Sequence, residues 1–285
     1  MKSRFYFAVK SRILPLENIR NTVIKLIVTD LDGTLLNDNH EVPDRFWKIA
    51  NRLFDKGIKL GIATGRPHFS ITEKFQAIVN QLYAISDNGS LIIHDETELL
   101  SKSLPKHEIE ALVTTARSVD NAWPILCGRD HWYLENSDEV LMKAVYAYHG
   151  NFKFVDDLAK IDEDILKMTV YDYAGSEQNS YPRFKHFENR LKIAMGGAKW
   201  LDIMRPDVNK GEAVQILQSL HNISADETLV FGDFMNDYEM MKTATYSYAM
   251  KNANPKLIEA ANFVTEKDNN NAGILDVIEL LCFNK

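Results

Sequence analysis

The run Lys25-Leu26-Ile27-Val28-Thr29 is nearly continuous in apolar, β-branched side chains, the pattern of a strand buried on both faces of a parallel sheet. It gives way to the polar turn Asp30-Leu31-Asp32-Gly33-Thr34. Pro43-Asp44 then opens a segment with apolar residues at Phe46, Ile49, Ala50, Leu53 and Phe54, the spacing of one helix face, and Gly57 is placed to end it. A second strand is predicted over Lys59–Ala63, followed by the turn Thr64-Gly65-Arg66-Pro67, a helical stretch to about Asn80 and a third strand over Tyr83–Ile85. Strand, helix, strand, helix, strand predicts a doubly wound, mainly parallel α/β sheet of the Rossmann-like kind.

After Asp87-Asn88-Gly89 the rhythm changes. Leu91–His94 and Leu99–Leu104 flank an acidic turn and read as a hairpin. Helices are predicted near His107–Val119 and Asp138–Tyr148, the latter carrying Tyr146, Tyr148 and His149 as amphipathic packing. Strand-like runs lie at Trp123–Cys127, His131–Leu134, Leu166–Tyr173, Leu191–Met195 and Lys199–Met204. From Lys210 the parallel pattern resumes, with a helix over Gly211–His221 and a strand over Thr228–Phe231. The turn Gly232-Asp233 and a helix from Asn236 come next, then a strand over Tyr246–Ala249 and helices after Pro255 and through Asp276–Leu281. The expected organisation is a discontinuous core domain (23–87 and 207–285) interrupted by an inserted α+β cap (88–206), with an extension at 1–22.

Composition narrows the function. The chain of 285 residues carries 33 Lys+Arg against 40 Asp+Glu, a formal charge of −7, and lacks the basic balance of a nucleic-acid binder. A phosphorylated small substrate remains compatible, because the charge of the site governs such binding rather than the net charge. The two cysteines, Cys127 and Cys282, have no zinc or redox spacing and are expected to be buried, reduced thiols. No apolar run approaches the ~20 residues of a membrane span. The longest apolar stretch near the start, Phe5 to Val9, is shorter than a signal-peptide core. A cytoplasmic protein without membrane partners is expected, as a monomer or homodimer.

In an open α/β sheet the ligand site lies beyond the carboxyl ends of the strands. Predicted strand ends deliver Asp30 and Asp32, Thr64-Gly65-Arg66, and Gly232-Asp233 with Asn236-Asp237, while Lys210 opens the next helix. Each piece alone has a plain alternative. Asp-x-Asp-Gly-Thr is most often a turn, Thr64 suits a helix cap, Gly-Asp-x-x-Asn-Asp suits a turn with an N-cap, and Lys-Gly says little. Their order and placement together are specific. Carboxylates gathered at one edge repel one another unless a cation neutralises them, and an all-oxygen donor set without His or Cys points to Mg²⁺.

These residues resemble the haloacid dehalogenase superfamily of phosphatases, in particular the Cof-type branch with a large cap between its second and third motifs. The resemblance runs from Lys25 to the last helix and rests on Asp30-Leu31-Asp32-Gly33-Thr34-Leu35-Leu36, Thr64-Gly65-Arg66, Lys210-Gly211 and Gly232-Asp233-Phe234-Met235-Asn236-Asp237. Ser86-Asp87-Asn88-Gly89-Ser90 and Ala249-Met250-Lys251-Asn252-Ala253 are secondary echoes, with Lys251 where Cof-type members usually carry Gly.

The resemblance implies a chemistry. Asp30 is the nucleophile that forms an aspartyl-phosphate, and Asp32 protonates the leaving alkoxide and then activates water. Mg²⁺ is held by Asp30, the backbone carbonyl of Asp32, and Asp233, with Asp237 assisting directly or through water. Thr64, the Gly65 amide, Lys210 and Asn236 hold the phosphoryl oxygens. Superfamily ATPases carry Thr where Asp32 stands, so Asp32 favours rapid hydrolysis. The insert is expected to act as a lid, with Arg129, His131, Trp132, Lys199 and Trp200 as candidate selectivity residues whose plainer role is packing or solvation. The expected activity is Mg²⁺-dependent hydrolysis of small phosphorylated metabolites such as sugar phosphates. A phosphomutase of the phosphomannomutase-like type is the alternative. A phospho-accepting or ligand-sensing module is a remote third, disfavoured by the chain's length and insert.

Overall fold

The computed structural model describes residues 23–146 and 151–283. The expected extension at 1–22, together with Tyr148 and His149, lies outside them. The described strands are β1 (Leu26–Thr29), β2 (Lys59–Ala63), β3 (Leu82–Ser86), β4 (Leu91–His94), β5 (Thr97–Ser101), β6 (Ala122–Gly128) and β7 (Trp132–Leu134). They continue with β8 (Phe152–Phe154), β9 (Ile165–Asp172), β10 (Lys192–Gly197), β11 (Trp200–Met204), β12 (Thr228–Gly232), β13 (Tyr246–Ala249) and β14 (Phe263–Val264). Among the described residues, contacts divide the chain into two compact units, the part up to Ile58 with the part from Gln218, and the part from Lys59 to Leu217; the second holds the expected insert 88–206 together with 59–87 and 207–217 of the expected core.

In the first unit, β14, β13, β12 and β1 lie side by side and parallel, with Val28 opposite Val230 and Phe231 opposite Tyr248. All residues of β1 and β12 are buried, which explains why their sequences do not alternate. The helix Arg45–Asp55 buries Phe46, Ile49, Ala50 and Leu53, the stripe that its sequence predicted. It ends with Gly57 N–H bonded to Phe54 O (2.8 Å) and Ile58 N–H to Leu53 O (2.9 Å), the paired bonds of a Schellman motif. The helix Pro255–Ala260 starts on Asn254, whose side chain accepts from Lys256 N–H, with Pro255 in its first turn.

In the second unit, β2 pairs parallel with β3, and β3, β4 and β5 pair antiparallel. The predicted acidic hairpin turn is Asp95-Glu96, both at positive φ (47° and 61°), as a two-residue primed turn requires. The other sheet has the order β10-β11-β9-β6-β7-β8 and is antiparallel apart from β7 with β8. Alternate residues of its strands enter two separate cores. Leu126, Met168, Val170, Leu201 and Ile203 pack with Leu112, Val113 and Ala116 of the helix Lys106–Arg117. Ile125, Cys127, Trp132, Leu134 and Tyr171 pack with Leu141 and Val145 of the helix Glu139–Tyr146.

Elements depart from the sequence expectation where they are short. The helix expected to reach Asn80 ends at Lys74, since Phe75 and Ile78 both turn into the core, and a single 3₁₀ turn follows at Val79–Gln81. The helix expected from Asn236 is a 3₁₀ turn, Met235–Asp237, then four residues, Tyr238–Met241. β8 and β14, with three and two residues, have no room to show a periodicity.

Candidate active site

In the first unit the motif residues converge. Asp30 N–H bonds to Phe231 O (3.0 Å), carrying the β1–β12 ladder one residue further and leaving the Asp30 side chain beyond the strand end, 5% exposed. The chain then turns tightly, with Thr34 N–H and Leu36 N–H both on Leu31 O (3.2 and 2.8 Å). Gly33 makes that turn possible: its φ is +76°, and a Cβ there would lie 2.4 Å from Asp233 Oδ2. Thr34 Oγ1 donates to Asp233 Oδ1 (3.1 Å), and Asn252 Nδ2 donates to Gly33 O (2.8 Å), so two segments far apart in sequence clasp one loop. Asn252 belongs to the second sequence echo. The Lys251 side chain beside it is exposed and its N–H bonds to Thr265 Oγ1, so the departure from glycine there meets no clash.

Asp237 is fully buried, and its Oδ2 accepts the N–H groups of Asp233 and Phe234 (3.0 and 3.2 Å), which fixes the β12 turn. Carboxylate oxygens of Asp30, Asp233 and Asp237 lie within 4.8 Å of one another. An octahedral Mg²⁺ with bonds of about 2.1 Å sets its ligand oxygens about 3 to 4.2 Å apart, so this hard-oxygen cluster fits that ion after small side-chain shifts. Asp32 lies outside the cluster of side chains. Its Oδ1 is 3.1 Å from His40 Nδ1, a partner that sequence reasoning did not single out. Asn236 is half-buried in the Met235–Asp237 turn.

The other motif residues lie in the second unit. Thr64 is buried at the end of β2, and its N–H bonds to Ile85 O (2.9 Å). Each carbonyl of Thr64-Gly65-Arg66 is held: Thr64 O by Asn88 N–H (2.9 Å), Gly65 O by Lys167 Nζ (2.7 Å), and Arg66 O by Asp87 N–H (3.0 Å). Thr64 Oγ1 accepts from Arg66 N–H (3.1 Å), so its cap-like bond serves the turn, since the following helix starts only at His68. Lys210 is fully buried and opens the helix Lys210–His221, which Asn209 caps by accepting Glu212 N–H (2.8 Å).

A group that sequence reasoning did not assemble sits behind the Thr64-Gly65 turn. Asp87, Lys167 and Asp202 are all buried, with Lys167 Nζ 3.2 Å from Asp202 and 3.6 Å from Asp87. Burial pushes the Asp87 carboxyl up to about 7, although Lys167 pulls the other way. The available signal was a lysine inside the otherwise apolar run Ile165-Leu166-Lys167-Met168.

Trp132 is buried in an aromatic core, where Trp200 packs half-buried, and Arg129 is exposed and paired with Glu98 (2.8 Å). Among the described residues no helix is long and apolar enough to cross a membrane.

A model of the haloacid dehalogenase-like hydrolases matches residues 27–278. The chain belongs to this family. It is 27% identical over 266 residues to an Escherichia coli protein named 5-amino-6-(5-phospho-D-ribitylamino)uracil phosphatase, a match covering 90% of this chain and 95% of that one. It is also 27% identical over 232 residues to the HMP-PP phosphatase of Cronobacter sakazakii, covering 80% and 85%. The solved structure of SMU.1108c from Streptococcus mutans aligns with a TM-score of 0.82 at 30% identity, covering 90% and 98%. The haloacid dehalogenase resemblance of the motifs holds, and the chain is a phosphoric monoester hydrolase of this superfamily.

Proposed function

We propose that this hydrolase cleaves the phosphoester of small metabolites, sugar phosphates or similar monoesters, using Mg²⁺ and an aspartyl-phosphate on Asp30. The observation that carries the reading is the Asp30, Asp233 and Asp237 cluster at the end of parallel strands, with Gly33 required for its approach to Asp233. In this reading Asp30, the Asp32 backbone carbonyl, Asp233 and Asp237 hold Mg²⁺, which offsets the repulsion between carboxylate and phosphate. Asp30 attacks phosphorus and Asp32 exchanges the proton with the leaving group and then with water. Asp32 is the half-exposed carboxylate of the loop, placed to exchange protons with solvent, whereas Asp30 is buried. Thr64, Gly65, Lys210 and Asn236 bind the phosphoryl oxygens.

The relatives' named substrates, a phosphorylated ribitylaminouracil and HMP-PP, support a small phosphorylated metabolite for this chain as well. Phosphate release from an aryl phosphate and a sugar phosphate panel, with Mg²⁺ and with EDTA, tests the reading. Release that needs Mg²⁺ and vanishes in a folded Asp30→Asn variant is expected. Parent-like turnover in that variant would refute the mechanism. Absence of release with hexose monophosphate conversion in the presence of a bisphosphate would favour the mutase.

A further inference from the structure

Lys167 lies in the middle of β9, 3% exposed, on a strand whose every residue is buried. An ammonium in such a place has to be fully partnered. Asp202 supplies one partner, 3.2 Å away, but it is itself well occupied: Oδ1 accepts from Thr169 Oγ1 (2.7 Å) and Oδ2 from Asn88 Nδ2 (2.9 Å). The shortest bond of Lys167 goes to the backbone, to Gly65 O at 2.7 Å. Burial draws the lysine's pKa down, yet the Asp202 and Asp87 carboxylates outweigh it and leave the group above its ordinary value, so it is charged at any working pH.

The peptide that Lys167 grips joins Gly65 to Arg66, and its N–H bonds to Thr64 Oγ1 (3.1 Å). A chain of bonds therefore runs from ammonium to peptide carbonyl, and from peptide N–H to threonine hydroxyl. Such chains polarise one another, so a cation at one end makes the hydroxyl at the other a stronger donor. With its lone pair engaged by Arg66 N–H, the Thr64 hydroxyl has its proton to give. We propose that Lys167 is a positioning residue for catalysis: through the Gly65–Arg66 peptide it orients and polarises the Thr64 hydroxyl toward a phosphoryl oxygen. The proposal rests on the reading that Thr64 and Gly65 bind that oxygen. It makes a strand of the inserted sheet part of the phosphate-binding apparatus.

The test compares the parent with Lys167→Met combined with Asp202→Asn, which removes the cation together with the carboxylate it bonds, so that Asp202 is not left as a stranded buried charge. Folding is checked by circular dichroism and Tm, activity by Mg²⁺-dependent phosphate release, and site affinity by inhibition with inorganic phosphate. Losing one preorganised donor outright costs about 10²–10³ in kcat, so detuning one is expected to lower kcat about tenfold or more. KM for an aryl phosphate should change less than kcat, and phosphate inhibition should weaken. In a Thr64→Val background the same pair of changes should have little further effect on kcat, because the donor it acts through is already gone. Lys167→Arg, which keeps the charge, should recover part of the loss.

A folded double variant with kcat and phosphate inhibition within about twofold of the parent would overturn the proposal. So would a chain that folds only with Lys167 in place, which would assign the residue to stability. A parent without phosphatase activity would instead refute the reading on which the proposal rests.

Discussion

Replacing Asp87 by asparagine should remove a pH-dependent penalty on folding. Asp87 is 1% exposed, and neither carboxylate oxygen has a hydrogen-bond partner among the described residues; its nearest cation, Lys167, stands at 3.6 Å. Burial raises its pKa from 3.8 to about 7, against the pull of Lys167. Below pH 3.8 the group is protonated in both folded and unfolded chains and costs nothing. As pH rises toward 7 the unfolded chain gives up this proton while the folded chain keeps it, so stability falls with pH and levels off above the folded value. At about 1.4 kcal/mol per pH unit, the full penalty is about 4 kcal/mol, an upper figure because buried sites relax and admit water. Of this about 1.6 kcal/mol is already present at pH 5, leaving about 2 to 3 kcal/mol to develop between pH 5 and pH 8.

Asp87→Asn abolishes the titration and keeps a side chain that accepts the residue's φ of 50°. Urea unfolding of parent and variant at pH 5 and pH 8 reads the effect directly. The variant should gain on the parent by about 2 to 3 kcal/mol between the two values. Parallel dependence of the two proteins on pH would refute the argument that Asp87 is held protonated by burial.

Gly33→Ala should cost about 1–2 kcal/mol in stability for its left-handed backbone, and more by pushing on Asp233. It should also raise the Mg²⁺ concentration needed for half-maximal phosphate release, and an unchanged Mg²⁺ dependence would separate Gly33 from the acidic cluster. Both cysteines are buried, and burial raises the Cys127 thiol far above its ordinary pKa, so neither should react with an aromatic disulfide reagent until the protein is unfolded. Rapid labelling of the native protein would contradict this packing. Arg117 joins Glu135 and Asp157 in a part-exposed ion cluster, and its replacement by alanine should cost no more than about 1 kcal/mol in urea unfolding.

Most predicted strands and long helices overlap observed ones because burial writes itself into sequence; β5, expected over Leu99–Leu104 and found at Thr97–Ser101, is half-buried or exposed throughout and is correspondingly misplaced. β1 and β12 are apolar throughout since both faces are covered, and Arg45–Asp55 shows its stripe since one face is. Short elements escaped or shrank: β8 and β14 have three and two residues, and the helix expected from Asn236 keeps four. The acidic motifs were legible for a different reason. They sit at strand ends, where the polar residue types at a turn are set by local geometry, as with Gly33 between Asp32 and Thr34. By itself, then, the sequence determined the doubly wound architecture, the residues at its strand ends, and an oxygen-only donor set. Only the tertiary structure decided that Asp237 spends one oxygen on its own turn, that His40 stands beside Asp32, and that Lys167 of β9 reaches the Gly65 carbonyl. The last of these joins residues 102 positions apart. No local propensity specifies such a pair, because its geometry is the sum of every strand register and packing contact between them.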